Sequence, residues 1–131
     1  GAEVFIWNRT RERADALAQA VGAKAIAREE FTRIAPLVAI VNTTPIGMHP
    51  KVDASPLSPD EMPQAGVVFD TVYNPLRTKL LQIAENKGSK TLEGWTMFVA
   101  QGVRQFELWT GRKAPREQMT AAVLRALQAR S

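Results

Sequence analysis

The chain has 131 residues, the size of one ordinary domain, and its 45% hydrophobic and 23% charged content excludes a disordered or fibrous protein. It carries no cysteine and one histidine, His49, which removes disulfides, thiol nucleophiles and multi-histidine metal clusters, so no metal site is expected. Net charge is +4, from 17 Lys and Arg against 13 Asp and Glu; the basic residues around 9–13 and 112–116 alternate with Glu12, Asp15 and Glu117, a mixed face that argues against a nucleic-acid partner.

No apolar run approaches the ~18 residues that a membrane span needs. The start, Gly1-Ala2-Glu3-Val4, has neither the basic nor the apolar region of a signal peptide, so a cytoplasmic chain without a membrane partner is expected. The β-branched and aromatic run at 4–7 predicts a strand, and Thr10 is a good cap for a helix whose Ala14, Leu17, Ala18 and Val21 repeat at helical spacing until Gly22. A short strand at 24–27 and a short helix at 29–34 follow. Residues 37–41, Leu-Val-Ala-Ile-Val, form a continuous apolar run of the kind buried on both faces of a parallel sheet.

Five prolines between 42 and 64 exclude regular structure over most of that stretch and predict a long loop, a functional loop by its length or a solvated connector. A strand at 66–70, a helix at 78–87 ended by Gly88 and a short strand at 90–92 come next. After Gly94 the spacing of Met97, Val99, Val103, Phe106 and Leu108 predicts one long helix, and that of Met119, Val123, Leu124 and Leu127 another. Trp95, Phe98, Phe106 and Trp109 read as core. Strands alternating with helices predict an α/β fold with a doubly wound parallel sheet.

In such a sheet the ligand lies beyond the carboxyl ends of the strands. Asn8-Arg9-Thr10 follows the first predicted strand, where a dinucleotide fold reads the adenosine ribose and where an acid would accept from the 2′-hydroxyl of NAD. No acid stands there. Arg9, with Arg13 one turn on, offers charge to a 2′-phosphate, and this points to NADP; the bland alternative is that Asn8 and Thr10 only cap the helix. Asn42-Thr43-Thr44 brings amides and hydroxyls to the next strand end, with Pro45 and Gly47 making a tight turn that either approaches a flat cofactor or is simply a turn. Tyr73 lies just past a strand, where its hydroxyl reaches a polyol or its ring packs. Gln101, inside an apolar helix, requires hydrogen-bond partners from a ligand or from neighbouring backbone. His49 has neither a second histidine nor a positioned acid, and is not read as catalytic.

Four segments, Asn8-Arg9-Thr10, Asn42-Thr43-Thr44-Pro45-Ile46-Gly47-Met48, Asp70-Thr71-Val72-Tyr73-Asn74-Pro75 and the stretch 94–101, resemble in order and spacing the NADP-binding domain of the shikimate dehydrogenase family. The resemblance implies that Asn8, Arg9, Thr10 and Arg13 bind the adenosine 2′-phosphate, and that residues 42–48, including Asn42, Thr43, Thr44, Gly47 and Met48, lie against the dinucleotide. Gly94 and Met97 would line the nicotinamide site, and Tyr73 and Gln101 would contact the substrate. The implied activity is reversible reduction of 3-dehydroshikimate to shikimate with NADPH, in aromatic amino-acid biosynthesis. The segment 47–53 is similar to versions fused to a dehydroquinase.

The family's fold opens with a strand, a Gly-rich turn and a helix that are not found here, so residues 1–131 are expected to be a Rossmann-like domain truncated at its amino terminus, with 94–131 as helices returning toward a missing catalytic lobe. The resemblance places a proton-handling lysine and aspartate in that lobe. No catalytic residue is therefore expected in this chain, which alone would be inactive. A non-catalytic nucleotide- or shikimate-binding regulator on the same fold is the alternative.

Overall fold

A computed structural model describes residues 1–34 and 36–129. Among the described residues the elements follow in the order β1 (Phe5–Ile6), α1 (Arg11–Val21), β2 (Lys24–Ala25), a 3₁₀ helix (Arg28–Arg33), β3 (Leu37–Asn42), β4 (Ala65–Asp70), α2 (Lys79–Asn86), β5 (Lys90–Leu92), α3 (Gly94–Thr110) and α4 (Arg116–Gln128), with a long loop in place of a helix between β3 and β4. Residues 130 and 131 of the predicted carboxyl-terminal helical region lie outside the described residues.

Local chemistry sets the helix ends. Gly22 takes the left-handed conformation, φ 69°, and returns its N–H to the Ala18 carbonyl to close α1, while Gly111 at φ 64° closes α3 on the Glu107 carbonyl. The Thr78 side chain caps α2 by accepting from the Leu81 N–H.

All strand pairs are parallel, in two sheets, β1-β2 and β3-β4-β5. The main core lies under α2, where Leu80, Leu81, Ile83 and Ala84 pack on Val68 and Ala65 of β4 and on Leu57 and Met62 of the long loop. The β3–β4 register sets Asn42 beside Asp70 at the carboxyl ends of the two strands.

Between the two sheets runs an apolar groove of about 680 Å³, bordered by Phe5 and Trp7 on one side and by Val38, Ile40 and Val41 on the other. In the strand order of a dinucleotide-binding sheet, this groove has the place of the first strand. Its presence corrects one expectation. Residues 37–41 are not buried on both faces: Val38 is 87% exposed and Val41 also lies open, on a strand whose only partner among the described residues is β4. Three other apolar residues are likewise uncovered. Ala14 and Ala18 alone form the buried side of α1 while Leu17 and Val21 face out, and Trp109, expected in the core, is 80% exposed at the end of α3.

Candidate functional site

The carboxyl end of β1 leads into α1 through an Asx turn, in which the Asn8 side-chain oxygen accepts from the Thr10 N–H at 2.9 Å. Thr10 holds the N-cap position in an extended conformation, but its hydroxyl makes no capping bond, so the capping alternative accounts for Asn8 and not for Thr10. Three arginines surround this turn and differ in their commitments. Arg11 forks onto Asp15 at 2.9 and 3.1 Å and reaches the Ala25 carbonyl. Arg9 and Arg13 are exposed, and among the described residues their guanidinium groups have no ion pair or hydrogen bond. Two unengaged guanidinium groups one turn apart at a helix amino terminus suit a dianionic phosphate.

At the ends of β3 and β4 two loops face each other. The first loop, 43–49, is organised by Asn42, whose side-chain oxygen accepts from the Thr44 N–H at 3.0 Å and the Thr44 hydroxyl at 2.7 Å. The Asn42 amide donates to Asp70 Oδ1 at 2.9 Å and approaches the Ile46 carbonyl at 3.4 Å. Asn42 is buried with its hydrogen-bonding capacity taken up by the loop and by Asp70; Thr43, beside it, is exposed, and among the described residues its hydroxyl is unengaged. Gly47 is buried at φ 92°, where a Cβ would lie 3.0 Å from the Ala54 carbonyl oxygen, and this turn presents Met48 outward.

The second loop, 71–74, starts from Asp70 and carries Tyr73, 41% exposed, whose ring stacks on Phe98 of α3 at 4.8 Å between centroids. The start of α3 presses against this loop: a Cβ on Gly94 would stand 2.5 to 2.7 Å from the carbonyl oxygens of Asp70, Thr71 and Val72. Met97 and Gln101, one turn apart on α3, are both exposed. The exposure of Gln101 corrects the expectation of a buried amide there: its polar atoms lie open to solvent and require no protein partner.

A cavity of about 430 Å³ lies between the loops, lined by Thr43, Thr44, Pro45, Met48, Thr71 to Asn74 and, unexpectedly, by His49 and by Leu127 of α4. The His49 N–H donates to the Asn74 carbonyl at 3.0 Å, joining the far ends of the two loops. Sequence reasoning missed Asp70, Thr78, Phe98 and Leu127 as parts of this region. Asp70 had a readable signal, a polar residue ending an apolar strand beside another such end; the rest depend on pairings far apart in sequence.

A parallel α/β unit whose candidate site residues gather at the carboxyl ends of its strands has the architecture of the dinucleotide-binding class. The comparisons sharpen this. The family model for the shikimate 5′-dehydrogenase C-terminal domain matches residues 94–124. The chain is 43% identical over 139 aligned positions to a shikimate dehydrogenase (NADP(+)) of Methanosarcina acetivorans, covering 98% of this chain and 49% of that one. It is 44% identical over 119 positions to the chloroplastic bifunctional 3-dehydroquinate dehydratase/shikimate dehydrogenase of Arabidopsis thaliana, covering 89% of this chain and 20% of the relative. It superposes on the crystal structure of shikimate 5-dehydrogenase from Thermus thermophilus in complex with NADP(H) and shikimate with a TM-score of 0.86 at 39% identity, covering 97% of this chain and 47% of that one. Over nearly its whole length the chain is similar to shikimate dehydrogenases, and it spans about half the length of the monofunctional curated relatives it matches.

Proposed function

We propose that the chain forms the NADP(H)-binding part of a shikimate dehydrogenase, an enzyme that reversibly reduces 3-dehydroshikimate to shikimate. The observation that carries this reading is the pair Arg9 and Arg13, unengaged at the head of α1 with no acid at the ribose-reading strand end. Arg9, Arg13 and the free Thr10 hydroxyl hold the 2′-phosphate. Asn8 shapes that turn, and Asn42 shapes the loop whose Thr43, Thr44, Gly47 and Met48 lie along the dinucleotide. Gly94 and Met97 border the nicotinamide, whose reduced form supplies the hydride when bound. Tyr73 and Gln101 meet shikimate or 3-dehydroshikimate across the cavity between the loops. In this reading residues 1–131 form a single partial nucleotide-binding unit, with the helices from 94 onward facing a second lobe. That lobe supplies the proton-handling groups, whose assistance is worth about 10²- to 10⁴-fold in rate, and this chain alone turns over no substrate.

The test is a calorimetric titration of the chain with NADP⁺ and with NAD⁺ at low salt. Saturable NADP⁺ binding about tenfold or more tighter than NAD⁺ is expected, the scale of one good charge contact. Equal affinities would overturn the 2′-phosphate assignment, and no binding of either would overturn the reading for this chain acting without a second lobe.

A further inference from the structure

The two loops of the site hang from one buried pair of side chains. Asn42 and Asp70 are 5% and 0% exposed, and the β3–β4 register places them side by side. The Asp70 carboxyl accepts on Oδ1 from the Asn42 amide at 2.9 Å and from the Val72 N–H at 3.0 Å, and on Oδ2 from the Thr78 hydroxyl at 2.6 Å. Asn42 in turn holds Thr44 by both its N–H and its hydroxyl, and the Thr44 hydroxyl accepts from the Ile46 N–H at 3.3 Å. The Asn42 backbone carbonyl accepts from the Thr71 N–H at 3.0 Å, and His49 to Asn74 closes the far side. The result is a ring of hydrogen bonds in which each loop is fixed through the other. Among the described residues no buried side-chain polar atom is left without a partner, so removing one member strands its neighbours.

We propose that Asp70 and Asn42 are positioning residues that couple the loop at 43–49 to the loop at 71–74, so that a ligand ordering one loop orders the other. Neither side chain reaches a ligand itself. The identity of the ligands, nucleotide on one loop and shikimate on the other, rests on the function proposed above; the coupling does not. The chemistry explains an aspartate at this position. Three donors converge on residue 70, and a carboxylate is acceptor-only. In Asp70→Asn the amide oxygen keeps Asn42 and Val72, while its NH₂ meets a Thr78 hydroxyl that can turn to accept. In Asp70→Ala both loops lose their anchor.

The test is amide hydrogen exchange on the full chain, read separately for 43–49 and 71–74. Asp70→Ala should accelerate exchange in both loops by about tenfold, the scale of one net hydrogen bond, and Asp70→Asn should restore both to near wild type. Asn42→Ala, the milder substitution should Asp70→Ala fail to fold, should release 71–74 as well as 43–49. Leu81→Val, destabilising through the core under α2, is the control: its effect should track global unfolding and spare the difference between loops and core. If Asn42→Ala leaves 71–74 at wild-type exchange, the coupling is refuted. Adding NADP⁺ to the wild type should slow exchange in both loops. If NADP⁺ does not bind at all while both substitutions release both loops, the proposed function fails and the coupling stands; protection confined to 43–49 overturns the coupling alone.

Discussion

A phosphate site needs cations that nothing else in the protein holds, and at the head of α1 that condition separates three arginines that look alike in sequence. Arg11 is tied to Asp15, whereas among the described residues the guanidinium groups of Arg9 and Arg13 have no partner. Arg9→Asp should lower NADP⁺ affinity about tenfold or more and leave NAD⁺ affinity nearly unchanged, because only NADP carries the 2′-phosphate. Arg11→Ala should change NADP⁺ affinity less than Arg13→Ala does. Calorimetry on the three variants checks both statements, and a loss at Arg11 as large as at Arg13 contradicts them. Gly94 makes a different residue-scale prediction. Any side chain there enters the carbonyl oxygens of Asp70, Thr71 and Val72, so Gly94→Ala should cost about 1 to 3 kcal/mol in urea unfolding and loosen the Tyr73–Phe98 stack, lowering Tyr73 exchange protection. The turn at Asn8, Arg9 and Thr10 was legible in sequence because its hydrogen bond is local. The role of Asn42 was not, since its partner Asp70 lies 28 positions away and shows only as a strand-end residue until the register is known.

At the scale of elements, one clamp ties the β1-β2 unit to the rest. Arg28, at the start of the 3₁₀ helix, forks onto Glu61 before β4 at 2.6 and 2.7 Å, and its guanidinium lies 5.2 Å from the Trp7 ring centre, while Trp7 meets Phe31 edge-on. The Arg28 hydrogen bonds, with further donors from Ser58, lower the Glu61 carboxyl from 4.5 to about 2. Because this folded value is below the unfolded one, the clamp contributes in full above about pH 5, and its contribution is lost as pH falls from there toward 2. Both side chains are about a third exposed, so the effect is modest: Glu61→Gln should cost about 0.5 to 1 kcal/mol at pH 7 and almost nothing near pH 2. Thermal unfolding of wild type and variant across that range should converge in acid; parallel curves would contradict the assignment. Sequence periodicity found every helix and strand here, and Gly22 and Gly88 stopped helices as expected, yet the clamp was invisible because it joins residues 33 apart. Periodicity also overstated β3, since an apolar run reports what a strand can bury and not what lies against it.

The groove between the sheets decides how the whole molecule behaves. In this chain Val38 faces open space although it belongs to a run as apolar as that of β4, where Val68 is fully buried. If the groove is open in solution, Val38→Lys should change stability by no more than about 0.5 kcal/mol, as surface substitutions do, while Val68→Ala on the adjacent strand should cost about 1 to 3 kcal/mol by leaving a cavity. Urea unfolding of both variants, run at two protein concentrations, makes the comparison. A cost at Val38 that rivals Val68 and grows with concentration would mean that a second copy covers the exposed edge of β3, as unpaired strands tend to invite. The same cost without concentration dependence would mean that the chain folds over its own groove. A small cost at Val38 leaves the edge of β3 free to pair with a further strand. Trp7, which leads into the Asn8-Arg9-Thr10 turn, stands at one border of the groove and Asn42 at the other, so any strand that fills it stands between these two loops.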